Sequence, residues 1–396
     1  MEIRHDNEYD LFFSTVQAAF GRYWPESAGS GILGAYERER SLVAFTPDGR
    51  PIGTAGAHSF DLTLPGDVVV PAAGITAVGV LPTHRRQGVL RAMMQEQLAD
   101  IRARGEFVST LLASEAVIYR RFGYGPATYT EQLTVERHRT AFAAPRWAAH
   151  ETGTVELLRR ADCADLLEEI YDRYRRTQPG ALSRPHRWWS LGAGHSPTSP
   201  EPRYLAVHRD ADGVANGYAS YLVTDATLTV DELVATDDAA FTAIARFLLE
   251  HDLVKQIRFQ HLPPGNPLRW QLADLRAAQP VETDWLWVRL LDIPRALTAR
   301  GWFADGSLVL DVTDPFLEEH GRYQLTVRDG KAECVRTDLE PDLSLDVSDL
   351  ASVYLGGTLP SVLVRAGHVR AHHGEAASRA DALFRSDRIP HCVQWF

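Results

Sequence analysis

The chain is short of the features that would place it in a membrane, a disulfide framework or a metal cluster. It has 3 cysteines among 396 residues. Cys163, Cys334 and Cys392 are scattered, odd in number and without metal-ligand spacing, so the chain encodes neither a disulfide scaffold nor a zinc site. Reduced thiols in a cytoplasmic protein are expected. No apolar run approaches the length that spans a bilayer, and the polar start, Met1 to Asp10, lacks a signal-peptide core. Low-complexity tracts and short-period repeats are missing too. Positive charge is in deficit: 41 Lys and Arg stand against 52 Asp and Glu, a net charge of −11. That argues against nonspecific nucleic-acid binding. It leans only weakly toward cationic partners, because acidity also serves solubility. With 45% hydrophobic and 23% charged residues, this is the composition of a globular protein, long enough for two or three cores.

What the chain does have is one dense stretch, Gly74 to Arg91. Ile75, Val78, Val80 and Leu81 read as a β-strand. Pro82 ends it, and Thr83 is a plausible N-cap. From Val89 the apolar positions recur at helical spacing through Leu90, Met93, Met94, Leu98 and Ile101, with polar Gln97 among them. A helix N-terminus presents unpaired N–H groups and partial positive charge, which suits anions and phosphates above all. Arg85 and Arg86 add charge, and Gly88 permits close backbone approach. A pyrophosphate is expected here, against the plainer alternative of an ordinary turn with two solvated arginines.

The run Arg85-x-x-Gly88-x-Leu90 resembles the acetyl-CoA-binding motif of the GNAT acetyltransferases. Leu90 replaces that motif's usual small residue. The wider run from Pro82 to Met93 is similar to one branch, the Eis-type N-acetyltransferases, where a bulky residue is usual at that place. A second segment, Phe107 to Pro126, reads as a buried strand (Val108 to Ala113), a polar break at Ser114 and Glu115, and a short helix. It resembles the end of a GNAT core, with Tyr119 ahead of Gly123 and Tyr124. The alternative for Tyr119 is core packing beside Phe122.

The remaining chain fits the same resemblance. Asn7 to Phe20 reads as an amphipathic helix with Leu11, Phe12, Val16 and Phe20 on one side. Strands follow at Ser41–Phe45 and Ile52–Phe60, and Tyr129–Val135 reads as a closing strand. His138 to Thr152 reads as a linker. The order then repeats, with a helix over Cys163–Tyr174, strands at 204–207, 217–223, 227–235 and 256–262, and a helix over Ala239–Leu253. Its strand-to-helix turn, Leu233 to Phe241, has no Gly or Arg, and Asp237 and Asp238 would repel phosphate there. It resembles a degenerate GNAT fold without a CoA site. Strands at 307–312, 322–327 and 342–347, followed by a helix over Leu350–Leu355 capped by Ser348 and Asp349, resemble a sterol-carrier-protein fold. That unit is expected to serve structure and assembly. The expected class is thus α/β (α+β): a catalytic GNAT domain over 1–139, a degenerate one over 153–291 and a sterol-carrier-like domain over 293–396.

Residue by residue, the resemblance implies the following. Backbone groups of Val78, Gly79 and Val80 pair with the pantetheine arm of acetyl-CoA. Arg85, Arg86, Gln87, Gly88, Val89, Leu90 and Arg91 surround the pyrophosphate, and Ser114 and Glu115 lie beside the pantetheine. Tyr119 is the general acid, and the terminal carboxylate of Phe396 is the base. A phenol, with an ordinary pKa of about 10, stays protonated at neutral pH. No metal is required. Acetyl transfer would be direct; a covalent route through Cys392 lacks a paired base. Tyr23, Trp24, Glu26 and Trp395 would line the substrate cleft. Arg22 and Trp395 stand where aminoglycoside-modifying members carry acids, so the cleft is expected to be more aromatic. The acceptor would be a primary amine, aminoglycoside-like or with an apolar body, or a lysine. The family further implies a homohexamer. The competing class is a non-enzymatic CoA- or lipid-binding scaffold, against which Tyr119 and a free C-terminus argue.

Overall fold

Among the described residues three sheets, of seven, seven and five strands, carry the fold. The computed structural model describes residues 1–5, 8–23, 36–143, 153–190 and 202–396. The first part supplies β1 (Glu2–His5), α1 (Tyr9–Phe20), β2 (Leu42–Phe45), β3 (Pro51–Leu64), β4 (Val68–Val80), α2 (Val89–Ala103), β5 (Val108–Leu112), α3 (Ala116–Tyr119) and β6 (Gly125–Pro126). The middle supplies β7 (Tyr129–Glu136), β8 (Thr154–Leu158), α4 (Ala164–Arg176), α5 (His186–Ser190), β9 (Tyr204–Arg209), β10 (Ala215–Thr224), β11 (Thr227–Ala235), α6 (Asp238–Leu249), β12 (Gln256–Leu262), α7 (Leu268–Gln271), β13 (Ala278–Asp284) and β14 (Leu286–Leu290). The last part holds α8 (Ile293–Ala299), β15 (Gly306–Asp314), β16 (Glu319–Arg328), β17 (Lys331–Arg336), β18 (Leu343–Asp346), α9 (Val347–Tyr354), α10 (Pro360–Arg365), β19 (Arg370–Ala371) and α11 (Ala376–Phe384).

The first two sheets exchange strands. Their orders are β1-β2-β3-β4-β5-β14-β6 and β13-β7-β12-β11-β10-β9-β8. The segment expected to close the first sheet, Tyr129–Val135, instead pairs with β12 and β13 of the second. The first sheet is completed by β14, which pairs antiparallel with β5 and β6. Alternation identifies a strand but not its partner. All five residues of β14 are buried, as suits an interior strand. The chemistry-bearing pair β4 and β5 is therefore flanked on the β5 side by a segment from far along the chain.

Several local expectations shift. In α1, Phe12 and Val16 are buried as the periodicity requires, but Phe13 takes the place expected of Phe20, which is 44% exposed. The β3–β4 hairpin is longer than its alternation suggests and turns through Gly66 and Asp67, both at positive φ. Helix α6 ends at Leu249, and Leu253 is exposed at positive φ. Asp346, not Ser348 or Asp349, caps α9: its carboxylate accepts the Ser348 N–H at 2.8 Å. One apolar cluster joins the first and third sheets through Phe60, Leu62, Leu64, Leu310, Leu350 and Phe384, and it takes in Phe396. The C-terminus is thereby packed against the first sheet.

Candidate active site

The ladder between β3 and β4 pairs Thr54 with Gly79 and then Gly56 with Thr76. One extra residue on β4 therefore makes a bulge at Ala77 and Val78. Ala77 has φ of 52°, and its carbonyl accepts the Thr54 hydroxyl at 2.8 Å. On its other side β4 runs parallel to β5 only from Ala73 to Ile75, paired with Ser109 to Leu111. Beyond Ile75 the two strands part. Val78, Gly79 and Val80 are all half-buried on that opening stretch, where an extended ligand can add as a strand. Gly79 itself answers to packing, since a Cβ there would stand 2.8 Å from the Ala19 methyl of α1.

The chain then turns through one 3-10 turn, Pro82–His84, and Arg86 and Gly88 both take positive φ, 61° and 84°. Helix α2 begins at Val89 with Gly88 as its N-cap, without a side-chain cap and without an acid in its first turn. Its N–H groups are thus left for a ligand. Thr83 does not cap the helix; its hydroxyl meets His84 Nδ1 at 2.9 Å. Arg85 braces the turn, donating to the Ala19 carbonyl at 2.9 Å and the Val80 carbonyl at 3.3 Å. Gln87 reaches back to the Thr83 carbonyl at 3.3 Å. Arg86, Gln87, Gly88 and Arg91 are exposed around the helix mouth, Leu90 is half-buried and Val89 is buried. Arg91 leans over the Phe316 ring at 5.0 Å.

Ser114 and Glu115 form the exposed bend after β5. Tyr119 is 6% exposed and shares a cluster with Ile75 and Leu111, the residues at the fork. Burial pushes its phenol up, and a hydrogen bond with Ser114 works the other way. The proton is therefore held at neutral pH. Tyr124, fully buried and bonded to Ser109 at 2.8 Å, is a structural neighbour. The Tyr119 segment is braced from the third part of the chain. Arg120 pairs with the buried Asp349, and the buried Arg289–Asp314 pair lies under Gly123. Gly123 has φ of 80°, and a Cβ there would stand 2.6 Å from the Arg289 guanidinium. Sequence reasoning missed these braces because their partners lie far apart in the chain.

Phe396, from the opposite end of the chain, packs against Gly74, one rung before the fork, on the face of β4 opposite Ile75. Its ring lies 5.1 Å from Phe60 and 6.4 Å from His58, and Trp188 completes the aromatic group at 5.0 Å from His58 and 5.9 Å from Phe60. His58 and Phe60 share one face of β3, an alternation that could have flagged them. Nearby Glu37 binds the Ser59 N–H at 2.9 Å and pairs with Arg187. Burial opposes its charge, yet Ser59 and Arg187 hold its carboxyl below the ordinary range. The expected cleft residues Tyr23 and Trp395 are not gathered here. Tyr23 is 97% and Trp395 44% exposed, and Trp24 and Glu26 lie outside the described residues.

The tail itself is fixed. His391, Cys392, Val393 and Gln394 are all buried. The His391 N–H donates to the Pro179 carbonyl at 2.8 Å, and Gln178 donates to the Ile389 carbonyl at 2.8 Å. Gln394 accepts from Arg184, whose guanidinium pairs with buried Glu232. Tyr218 donates to that same carboxylate. Burial works against the Glu232 charge, but Arg184 and Tyr218 outweigh it and keep the carboxyl below its ordinary range. Burial pushes the Cys392 thiol up to about 12, which leaves no thiolate for a covalent route. In the second sheet, Asp237 caps α6 by accepting the Ala240 N–H at 2.8 Å, and Asn216 donates to the same carboxylate at 2.8 Å. That helix mouth is closed. Elsewhere, a cavity of about 430 Å³ between Phe107, Leu291, Tyr323 and Arg336 holds none of the expected site residues.

Comparison with known proteins bears on this geometry. A family model described as an acetyltransferase (GNAT) domain matches residues 3–127, a second of that description matches 180–290, and a sterol carrier protein domain matches 293–393. An uncharacterized N-acetyltransferase of Streptomyces avermitilis is 40% identical over 90% of this chain and 88% of its own length. The N-acetyltransferase Eis of Mycobacterium tuberculosis is 37% identical over 86% of this chain and 85% of its own. The crystal structure of Eis1 from Mycobacterium abscessus superimposes with a TM-score of 0.88 at 36% identity, covering 100% of both chains.

Proposed function

Because the chain belongs to the Eis-type N-acetyltransferases of the GNAT superfamily, we propose that it transfers acetyl from acetyl-CoA to a primary amine at the β4–β5 fork. The observation that carries this reading is that Tyr119 and Phe396 both pack against β4 at the edge of that fork, on opposite faces of the strand. Tyr119 clusters with Ile75 and Leu111, and the Phe396 ring lies against Gly74, the rung just before the strands part.

The pyrophosphate takes the uncapped N–H groups of α2, with Arg86, Gln87 and Arg91 beside it and Gly88 open to it. Val89 and Leu90 contribute through their backbone, and Arg85 holds the turn rather than the ligand. The pantetheine arm lies along Val78, Gly79 and Val80, with Ser114 and Glu115 across the opening. The acceptor ammonium gives a proton to the Phe396 carboxylate, directly or through water. The free amine then attacks the thioester carbon while backbone N–H groups near Val78 stabilise the oxyanion. The tetrahedral intermediate gives up its second N–H proton to solvent, the C–S bond breaks, and Tyr119 protonates the departing thiolate and regains its proton from solvent. The product is an N-acetyl amide with free CoA, and the route calls on no metal ion.

The ring group of His58, Phe60, Trp188 and Phe396 favours an amine with an apolar body over a polycationic aminoglycoside. The unit over 1–139 carries the cofactor site and Tyr119, 293–396 supplies the Phe396 carboxylate, and 153–291 supports them, in a cytoplasmic homohexamer. No helix among the described residues is long and apolar enough to cross a membrane. A thiol-release assay with acetyl-CoA and a panel of amines tests the reading. Turnover should favour aryl- and alkylamines. CoA binding without turnover of any amine would leave a scaffold.

A further inference from the structure

Glu232 is buried within the second sheet and takes no part in the chemistry above, yet its setting repeats that of the first fork. In β11 the ladder to β10 steps from Ser220 paired with Glu232 to Tyr221 paired with Val230, leaving Asp231 as an extra residue. The parallel pairing of β11 with β12 stops at Val230 and Phe259. In β4 the bulge at Ala77 and Val78 likewise follows the last parallel rung, Ile75 with Leu111. Both sheets therefore carry a bulge just beyond the point where two parallel strands part.

The two forks are filled differently. At the second, Asp237 closes the helix mouth. The chain's own end lies there instead. Val393 packs in one cluster with Val234 of β11, Tyr218 of β10 and Tyr171 of α4. The Tyr174 hydroxyl meets His391 Nδ1 at 3.3 Å. Gln394, two residues before the terminus, accepts from Arg184, whose side chain sits 4.1 Å over the Tyr171 ring and pairs with Glu232.

Stability alone gives little reason for this arrangement. Burying an arginine and a carboxylate costs desolvation that their attraction repays only with good geometry, and apolar side chains of like volume often serve stability as well. A fixed pair does confer geometry. A general base must lie within hydrogen-bond reach of its proton, and displacement by about 1 Å can cost about 100-fold in rate.

We propose that the second fork has become the socket of the C-terminal tail, and that Glu232, acting through Arg184 and Gln394, is a positioning residue that fixes the Phe396 carboxylate at the first fork. The degenerate fold thus serves catalysis by holding the tail that carries the base where its own cofactor arm would have lain. This rests on the reading of that carboxylate as the base.

The test is a double-mutant cycle on the full chain. Gln394→Leu removes the tail's contact with Arg184 and leaves the Arg184–Glu232–Tyr218 group intact. Glu232→Gln strips the charge that orients Arg184. Each is made alone and with a few residues appended after Phe396, which moves the carboxylate but keeps both terminal aromatics. Gln394→Leu should lower kcat by about 10- to 100-fold with the acetyl-CoA KM within about twofold, and Glu232→Gln should act in the same direction. In the extended chain neither should cost anything further. Wild-type kcat in Gln394→Leu would overturn the socket while leaving the base in place. An equal loss in the normal and extended chains would overturn it too, since the effect would not pass through the carboxylate. Full activity of the extended chain by itself would instead overturn the base. Should Glu232→Gln fail to fold, Gln394→Leu decides the question, with circular dichroism as the check on its fold.

Discussion

Gly74 and Phe396 touch across the first sheet: a Cβ on Gly74 would stand 3.0 Å from the Phe396 ring and 2.5 Å from that of Phe60. The terminal residue therefore depends on a missing side chain on β4, one rung before β4 and β5 part at Ile75 and Leu111. Gly74→Ala should push the two rings apart. Overpacking of this kind costs about 1–3 kcal/mol, which a thermal melt would read. The sharper expectation is kinetic: kcat falls with acetyl-CoA affinity unchanged, because the cofactor contacts lie on the other side of the bulge. A variant that melts lower yet turns over at the wild-type rate would detach Phe396 from the chemistry.

Gly88 separates backbone from charge in the cofactor turn. Its φ of 84° disfavours most side chains, but no atom lies within 4 Å of a Cβ built there. Asn and Asp tolerate that backbone better than other residues and share a shape. Gly88→Asn should retain most acetyl-CoA affinity, and Gly88→Asp should lose it. Like charges 4 Å apart cost about 4 kcal/mol at an effective dielectric near 20. Calorimetric titration of both variants checks this, and equal affinities would remove the pyrophosphate from the turn.

Tyr119→Phe and Tyr124→Phe form a matched pair. Both rings are buried in the cluster that holds Ile75 and Leu111, but the Tyr124 hydroxyl is taken up by Ser109. Tyr119→Phe should lower kcat by about 10²- to 10⁴-fold with little change in acetyl-CoA KM. Tyr124→Phe loses its bond to Ser109, about 1 kcal/mol of stability, and should keep its rate. Steady-state kinetics on the two proteins, with a melt on each, distinguishes them. Comparable rates would return Tyr119 to packing.

The strand–turn–helix from Gly74 to Ile101 was legible because its chemistry is local: Pro82 stops the strand, Gly88 turns the chain, and the apolar period restarts at Val89. Strand partners were not. Tyr129–Val135 alternates clearly, yet nothing in that alternation says that it belongs beside β12 while β14 takes the place next to β5. The site was legible to the same limit. Tyr119 announces itself through its neighbours Gly123 and Tyr124. Arg184, Glu232 and Gln394 are three ordinary polar residues until the fold buries them together. Thr83 is an apt N-cap by type, but the two positive φ values at Arg86 and Gly88 delay the helix beyond its reach.

The buried tail also carries a titratable group, His391. It is fully buried, its Nδ1 lies 3.3 Å from the Tyr174 hydroxyl, and burial, with a smaller contribution from His261, pushes its pKa down to about 3. The unfolded chain binds a proton near pH 6.5, where the folded one does not. A folded pKa below the unfolded value means that the neutral ring's contribution is complete above about pH 6.5 and is lost as pH falls from there toward 3. The slope is about 1.4 kcal/mol per pH unit. His261, also pushed down by burial, adds in the same direction, whereas exposed His186, raised by its bond to Glu168, opposes it. The comparison is therefore between proteins at each pH. His391→Gln keeps a polar group and cannot titrate. Between pH 7.5 and 5.5, above the range where carboxylates dominate, wild-type Tm should fall more steeply than that of His391→Gln. Activity should follow, because the segment that opens on protonation carries Phe396. Parallel melting curves for the two proteins across that window would show that His391 takes its proton without releasing the tail.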